Sequence, residues 1–231
     1  NQNNTSSTDV YNTAVGYSAG LSVSTGIYNT IMGGLAGDAL TTGSRNVAIG
    51  FGSLSLEDEY GRNVAVGHST LANLNAGADA YNVALGFEAG YAMTTGVKNT
   101  LIGGNAGLAL TTGVFNTAVG FEALHSEDTG HYNTAIGYLA LTTLNVDNGY
   151  NTAVGFEAGT AVTTGTENVF IGYEAAESVT SGLKNVVVGA QALQTTQAAL
   201  GHRRGRIWGY FRHLDHGGYH GTIGWRHRRR A

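Results

Sequence analysis

Two acidic runs, LEDEYG at 56–61 and SEDTG at 126–130, bring carboxylates close enough together to offer oxygen ligands to a hard cation. The other groups with chemistry of their own in the first 200 residues are three histidines, His68, His125 and His131. None of the three has an Asp and a Ser, or a second metal ligand, at the spacing that nucleophilic or zinc chemistry needs. The chain has no Cys, which excludes disulfides and thiolate sites. Its 36 Gly residues keep a regular spacing and spell no phosphate loop or dinucleotide fingerprint. Paired carboxylates of the kind that hydrolyse polysaccharides do not recur. These patterns predict a protein that is not an enzyme, with no cofactor and no metal, and they leave the acidic runs as solvated turn charges or a cation site.

Recognition is the alternative chemistry. Tyr17, Phe51, Phe87, Phe121, Tyr138, Phe156 and Tyr173 form a row of aromatics at one repeating position. Such a row can contact a receptor glycan, pack at a subunit interface, or stack along the molecule. Adjacent threonines at Thr41–Thr42, Thr94–Thr95, Thr111–Thr112 and Thr163–Thr164 suggest an ice-binding face, but they lack the alternating T-x-T pattern that a flat Thr ladder needs.

The elements that must position these residues are repeats. Units begin at Asn12, Asn29, Asn46, Asn63, Asn82, Asn99, Asn116, Asn133, Asn151, Asn168 and Asn185, with steps of 17 residues apart from one of 19 and one of 18. The fifth position is always Gly: Gly16, Gly33, Gly50, Gly67, Gly86, Gly103, Gly120, Gly137, Gly155, Gly172 and Gly189. The second position is Thr or Val and the fourth a large aliphatic, so both point to one side of a short strand. The eighth is small and the twelfth mostly apolar, a second strand signal before a TTG-like turn. One unit cannot bury its apolar groups, whereas stacked units can. The expected fold is all-β, a parallel β-solenoid of about eleven coils, on the order of 50 Å long at about 4.8 Å per coil. In this arrangement Gly at position five suits a corner with positive φ. Asn at position one tolerates the left-handed region and can hydrogen-bond to the Asn of the next coil. Both ladders are therefore read as structural.

A longer period lies above the coil. Four coils, about 70 residues, recur as a block: NVALGFEAGYAMTTG at 82–96 returns as NTAVGFEAGTAVTTG at 151–165. Within the block, the third coil carries the acidic run and the fourth the inserted residues, NLNAGADAY at 73–81 and TLNVDNGY at 143–150. Insertions in a solenoid project from one face, often the recognition face.

Charge divides the chain near Leu200. Residues 1–200 hold four basic and fifteen acidic residues, net −11, whereas residues 201–231 hold eight Arg against Asp215 alone, net +7. The expected organisation is a lead-in over 1–11, the solenoid over 12–200, and a basic, aromatic and His-rich tail over 201–231 that leaves the period. That tail is read as a truncated or frameshifted end, or as an anchoring segment, with no nucleic-acid partner expected. No stretch approaches the roughly 20 apolar residues of a membrane span, and NQNNTSSTDV lacks a signal-peptide pattern.

The array N-[TV]-A-[VI]-G-[YF] resembles the head of trimeric autotransporter adhesins. The wording of NTAVGFEAL at 116–124 and NTAIGYLAL at 133–141 is similar to repeat arrays of phage tail fibres and of surface proteins that end in an intramolecular chaperone domain. The resemblance covers about residues 12–200. It implies left-handed β-rolls, three of them packed about one axis, in an extracellular fibre on a virion or bacterial surface that attaches to a host receptor or glycan. A thin coil rich in Ala and Thr supports the homotrimer on physical grounds, because small cores commonly depend on oligomerisation.

Overall fold

The structure, a computed structural model, describes residues 11–194 and the backbone of 206–209. Each repeat contributes one short strand: β1 (Thr13–Val15), β2 (Thr30–Met32), β3 (Val47–Ile49), β4 (Val64–Val66), β5 (Val83–Leu85), β6 (Thr100–Ile102), β7 (Thr117–Val119), β8 (Thr134–Ile136), β9 (Thr152–Val154), β10 (Val169–Ile171) and β11 (Asn185–Val188). With β12 (Arg206–Gly209) they form one parallel sheet in strict sequence order. Equivalent residues pair, as in Thr117↔Thr134, Ala118↔Ala135 and Val119↔Ile136. The chain is thus an all-β parallel solenoid with about 17 residues per coil. The lead-in is described only at Tyr11, and of the tail only β12 is described. That strand pairs in parallel with β11, Asn185↔Arg206, off the 17-residue spacing.

In every strand from β2 to β11 the third repeat position turns inward and is fully buried, from Ile31 and Ala48 to Phe170 and Val187. The eighth position and most of the twelfth join it in one continuous core. The second and fourth positions, which carry the Thr, Val, Met, Ile and Leu residues, turn outward. A coil this narrow seats Ala on its inner side more readily than two larger aliphatics.

The second strand expected around position twelve does not form. Positions seven and nine, such as Glu122 and Leu124, have positive φ in every coil, which breaks any extended run into turns. These turns still stack: Glu122 N–H donates to Gly104 O at 3.0 Å, and Leu124 N–H to Ala140 O at 3.0 Å. The left-handed residue expected at Asn is in fact the one before it, as at Tyr28, Lys98 and Tyr132.

The Asn side chain instead joins coil to coil. Asn116 Oδ1 accepts from Asn133 N–H at 2.9 Å, and Asn116 Nδ2 donates to Gly130 O at 2.7 Å. Position five adopts φ between 127° and 143° throughout, and a Cβ there would overlap the carbonyl of the next Gly along the column. The first Thr of TTG has a similar duty, since Thr111 Oγ1 donates to Asp128 O at 2.9 Å and Thr163 Oγ1 to Thr180 O at 3.0 Å.

Candidate functional site

Because positions two and four face outward, the sheet presents a column of large aliphatics beside a column of Thr and Val. Val15, Met32, Leu85, Ile136, Ile171 and Val188 are all exposed on it. Two ladders of rings border the strands. On one side the sixth-position aromatics stack: Phe121 on Tyr138 at 5.9 Å, Tyr138 on Phe156 at 5.0 Å and Phe156 on Tyr173 at 5.4 Å. Phe51 and Phe87 sandwich His68 at 5.5 and 5.4 Å, which makes His68 a member of the ladder and not an isolated group. Gly34 and Gly104 interrupt the ladder; a Cβ on either would press on the ring of Phe51 or Phe121, so each Gly leaves that ring room to lie over it. Tyr17 stands at the end, beyond Gly34, with 81% of its surface exposed.

On the other side, the residue before each Asn forms a second ladder. Tyr11 stacks on Tyr28 at 5.5 Å, Phe115 on Tyr132 at 5.2 Å and Tyr132 on Tyr150 at 4.9 Å. Arg45, Arg62 and Lys98 lie over the rings of Tyr28, Tyr81 and Phe115. Reading the column before each Asn as carefully as the sixth would have revealed this ladder, because it is aromatic or charged in every coil. Six residue steps separate the two ladders, at most about 20 Å, so over about 50 Å of rod the face, its Thr and charged positions included, measures at most about 1,000 Å². The largest apolar patch on a typical monomer is about 300–600 Å². One side of a standard protein interface is about 800 Å². The face has the size of an interface.

One carboxylate of each acidic run does something different from either expectation, while Asp58, Glu59 and Asp128 keep solvent contact. Glu57 and Glu127 occupy the twelfth position, where other coils place Leu, Val or Met, and both are fully buried. Glu57 accepts from Tyr60 N–H and, across to the inserted coil, from Ala76 N–H, each at 3.2 Å. Glu127 accepts from Gly130 N–H at 2.8 Å and from Val146 N–H at 3.2 Å. Each inserted loop is therefore fastened by a carboxylate of the coil before it, which explains why acidic run and insertion recur together. The insertion costs a bond elsewhere: Asn63 Nδ2 and Asn133 Nδ2 are buried without a partner, whereas Asn46, Asn82, Asn116 and Asn151 reach a carbonyl one turn on. Among the described residues no cluster of three His, Asp or Glu side chains is placed to hold a metal ion.

Burial pushes the Glu127 carboxyl from an ordinary 4.5 up to about 7, against the backbone N–H groups of Val146 and Gly130, which pull it down. Burial raises Glu57 as well. The folded chain holds this proton more tightly than the unfolded chain. Its contribution to stability is complete below about pH 4.5 and is lost as pH rises through about 7. Glu127→Gln is therefore expected to remove about one proton from the uptake on folding across that window. The fall in melting temperature from pH 5 to 8 should be shallower in the variant; equal slopes would show that the carboxyl is not held protonated by the fold.

The remaining candidates stand apart. His125 lies 3.4 Å from Ser126 Oγ, and His131 Nδ1 accepts from Val114 N–H at 3.0 Å. An open depression lined by Thr160, Ala161, Glu177, Ser178 and Thr180 brings no acid–base pair together. Among the described residues no helix is long and apolar enough to cross a membrane. No family model matches the chain, and neither a curated protein nor a solved structure matches it.

Proposed function

We propose that this chain is a structural and adhesive fibre segment: three copies, each a left-handed β-roll, pack their sheet faces around a common axis, and the rod holds receptor-binding elements away from a phage virion. The observation that carries this reading is the outward column of large aliphatics at position four, which runs the length of the sheet between two ladders of stacked rings. In a trimer the sixth-position aromatics are interface residues. The exposed loop residues Asn75, Asn145, Asp147 and Asn148 are then the receptor-facing candidates. The same construction suits the head of a bacterial surface adhesin, which would use these loops against host or matrix.

Light scattering on the full chain tests the reading. The expected mass is three chains, falling to one for Ile102→Asp combined with Ile136→Asp, with circular dichroism unchanged because both side chains face outward. A single-chain mass for the parent at tens of micromolar would overturn the fibre. So would a double variant that keeps the parent's mass.

A further inference from the structure

Asn148–Gly149 is the one Asn–Gly step in the chain. It lies in the inserted loop of the eighth coil, and Asn148 is exposed there. The side-chain amide of an Asn is open to attack by the backbone nitrogen of the next residue, and the fold guards against this attack elsewhere. Each of the eleven repeat Asn residues is followed by Thr or Val, whose branched Cβ crowds that nitrogen. From Thr13 to Thr152 the same nitrogen is also held in the sheet, donating to the Asn carbonyl of the next coil at 2.7–2.9 Å. The exposed Asn75 and Asn145 are guarded by the buried carboxylates: Ala76 N–H donates to Glu57 at 3.2 Å, and Val146 N–H to Glu127 at 3.2 Å. Gly149 has neither protection. It carries no Cβ, and one would overlap the Asn133 side chain, so the fold itself calls for Gly here. Its N–H is held in no bond of that quality. The stretch is tied to the coil before it by the lone bridge His131↔Asn148 and by Tyr150 N–H to His131 O at 3.5 Å, whereas the equivalent bonds of Lys98 and Phe115 measure 2.7 and 3.3 Å. Asn133, against which Gly149 packs, has its Nδ2 buried without a partner.

We propose that Asn148 is a self-modification site, which converts without an enzyme to aspartate and isoaspartate, so that the loop at 143–150 gains a negative charge as the chain ages. The Gly149 nitrogen, having lost its proton to hydroxide, attacks Asn148 Cγ. The N–Cγ bond forms, the Cγ–Nδ2 bond breaks, and Nδ2 takes a proton from water and leaves as ammonia. The product is a five-membered succinimide. Water then opens the ring at either carbonyl: cleavage at Cγ gives aspartate, and cleavage at the main-chain carbon gives isoaspartate, with one extra carbon in the main chain. Nothing is oxidised or reduced; one water enters and one ammonia leaves. The new carboxylate stands next to Asp147, whose Oδ1 accepts from Thr129 Oγ1 at 3.0 Å, and the same hydroxyl lies 3.2 Å from Asp128 Oδ1. A third negative charge is thus added where two are already close. The conversion is independent of the fibre reading, but its consequence rests on it: a receptor contact made through this loop weakens with time towards an anionic ligand and strengthens towards a cationic one.

The test is a peptide mass map of the full chain after incubation in mildly alkaline buffer, once folded and once in concentrated urea. In the folded chain the peptide that holds Asn148 should gain about one dalton and separate into two products of equal mass, aspartate and isoaspartate. Fragmentation should place the change at 148 and leave Asn75, Asn145 and the repeat Asn residues intact. Because an exposed loop tied by one bridge opens at little cost, the folded rate should lie within about tenfold of the rate in urea. Asn148→Gln, which would have to close a six-membered ring, should show no gain at 148 over the same period. It keeps Gly149, so the contact with Asn133 is undisturbed. A folded rate slower than that limit, no conversion in either state, or conversion of Asn75 or Asn145 as fast as Asn148 would overturn the proposal. These masses are read on the chain whatever its state of association. Failure here therefore leaves the fibre reading standing, and a single-chain mass in light scattering leaves the site standing.

Discussion

A chain carrying Gly120→Ala is expected to melt on the order of 10 °C below the parent. Gly120 has φ of 139°, a region that side chains rarely enter. Its added Cβ would overlap the Gly137 carbonyl oxygen. The obstacle is backbone in the neighbouring coil, so no rotamer change relieves it. That carbonyl cannot retreat either, because Gly137 is packed in turn against Gly155. Backbone strain costs about 1–3 kcal/mol and the overlap adds to it, for a total of about 3 kcal/mol or more. At about 2–4 °C per kcal/mol for a domain of this size, the shift follows. Gly77 is the control: a Cβ there meets nothing within 4 Å, so Gly77→Ala should lose only the cost of its positive φ. Thermal melts of the two variants decide the matter, and equal losses would sink the argument from stacking.

Asn116→Ala is expected to cost about 2–4 kcal/mol, and Asn133→Ala about half as much. Removing the Asn116 side chain strands the Asn133 N–H and the Gly130 carbonyl, two buried groups that each cost about 1–3 kcal/mol when left without a partner. Asn133 accepts from Asn151 N–H at 3.1 Å, but its own Nδ2 has no acceptor. Its loss strands one backbone group fewer. Denaturant midpoints of the two variants give the order, and a costlier Asn133→Ala would show that the insertion in the eighth coil does not break the ladder.

The sequence made the period and the parallel stacking plain, because Asn and Gly recur where every coil needs the same hydrogen bond and the same corner. It left open which side of the strand is core. Large aliphatics at positions two and four and Ala at position three fit either orientation until the width of the coil is known. The apolar twelfth position suggested a second strand; the left-handed residues at Glu122 and Leu124 that prevent it belong to no residue type favoured there. His68 read as an isolated histidine until the stack showed it between Phe51 and Phe87. Glu57 and Glu127 read as surface charge because carboxylates are seldom buried, and only the neighbouring inserted coil supplies the N–H donors that make burial tolerable.

Strand-by-strand pairing of equivalent residues has a consequence for heredity. β5 meets β4 and β6 as β9 meets β8 and β10, with equivalent repeat positions paired in the same register. A recombination event between two copies of the four-coil block therefore leaves a junction whose pairings already occur elsewhere in the chain. Each such event lengthens or shortens the rod by about 19 Å, four coils at about 4.8 Å, with no contact left to evolve anew. Reach becomes a quantity that a lineage can change in a single genetic step.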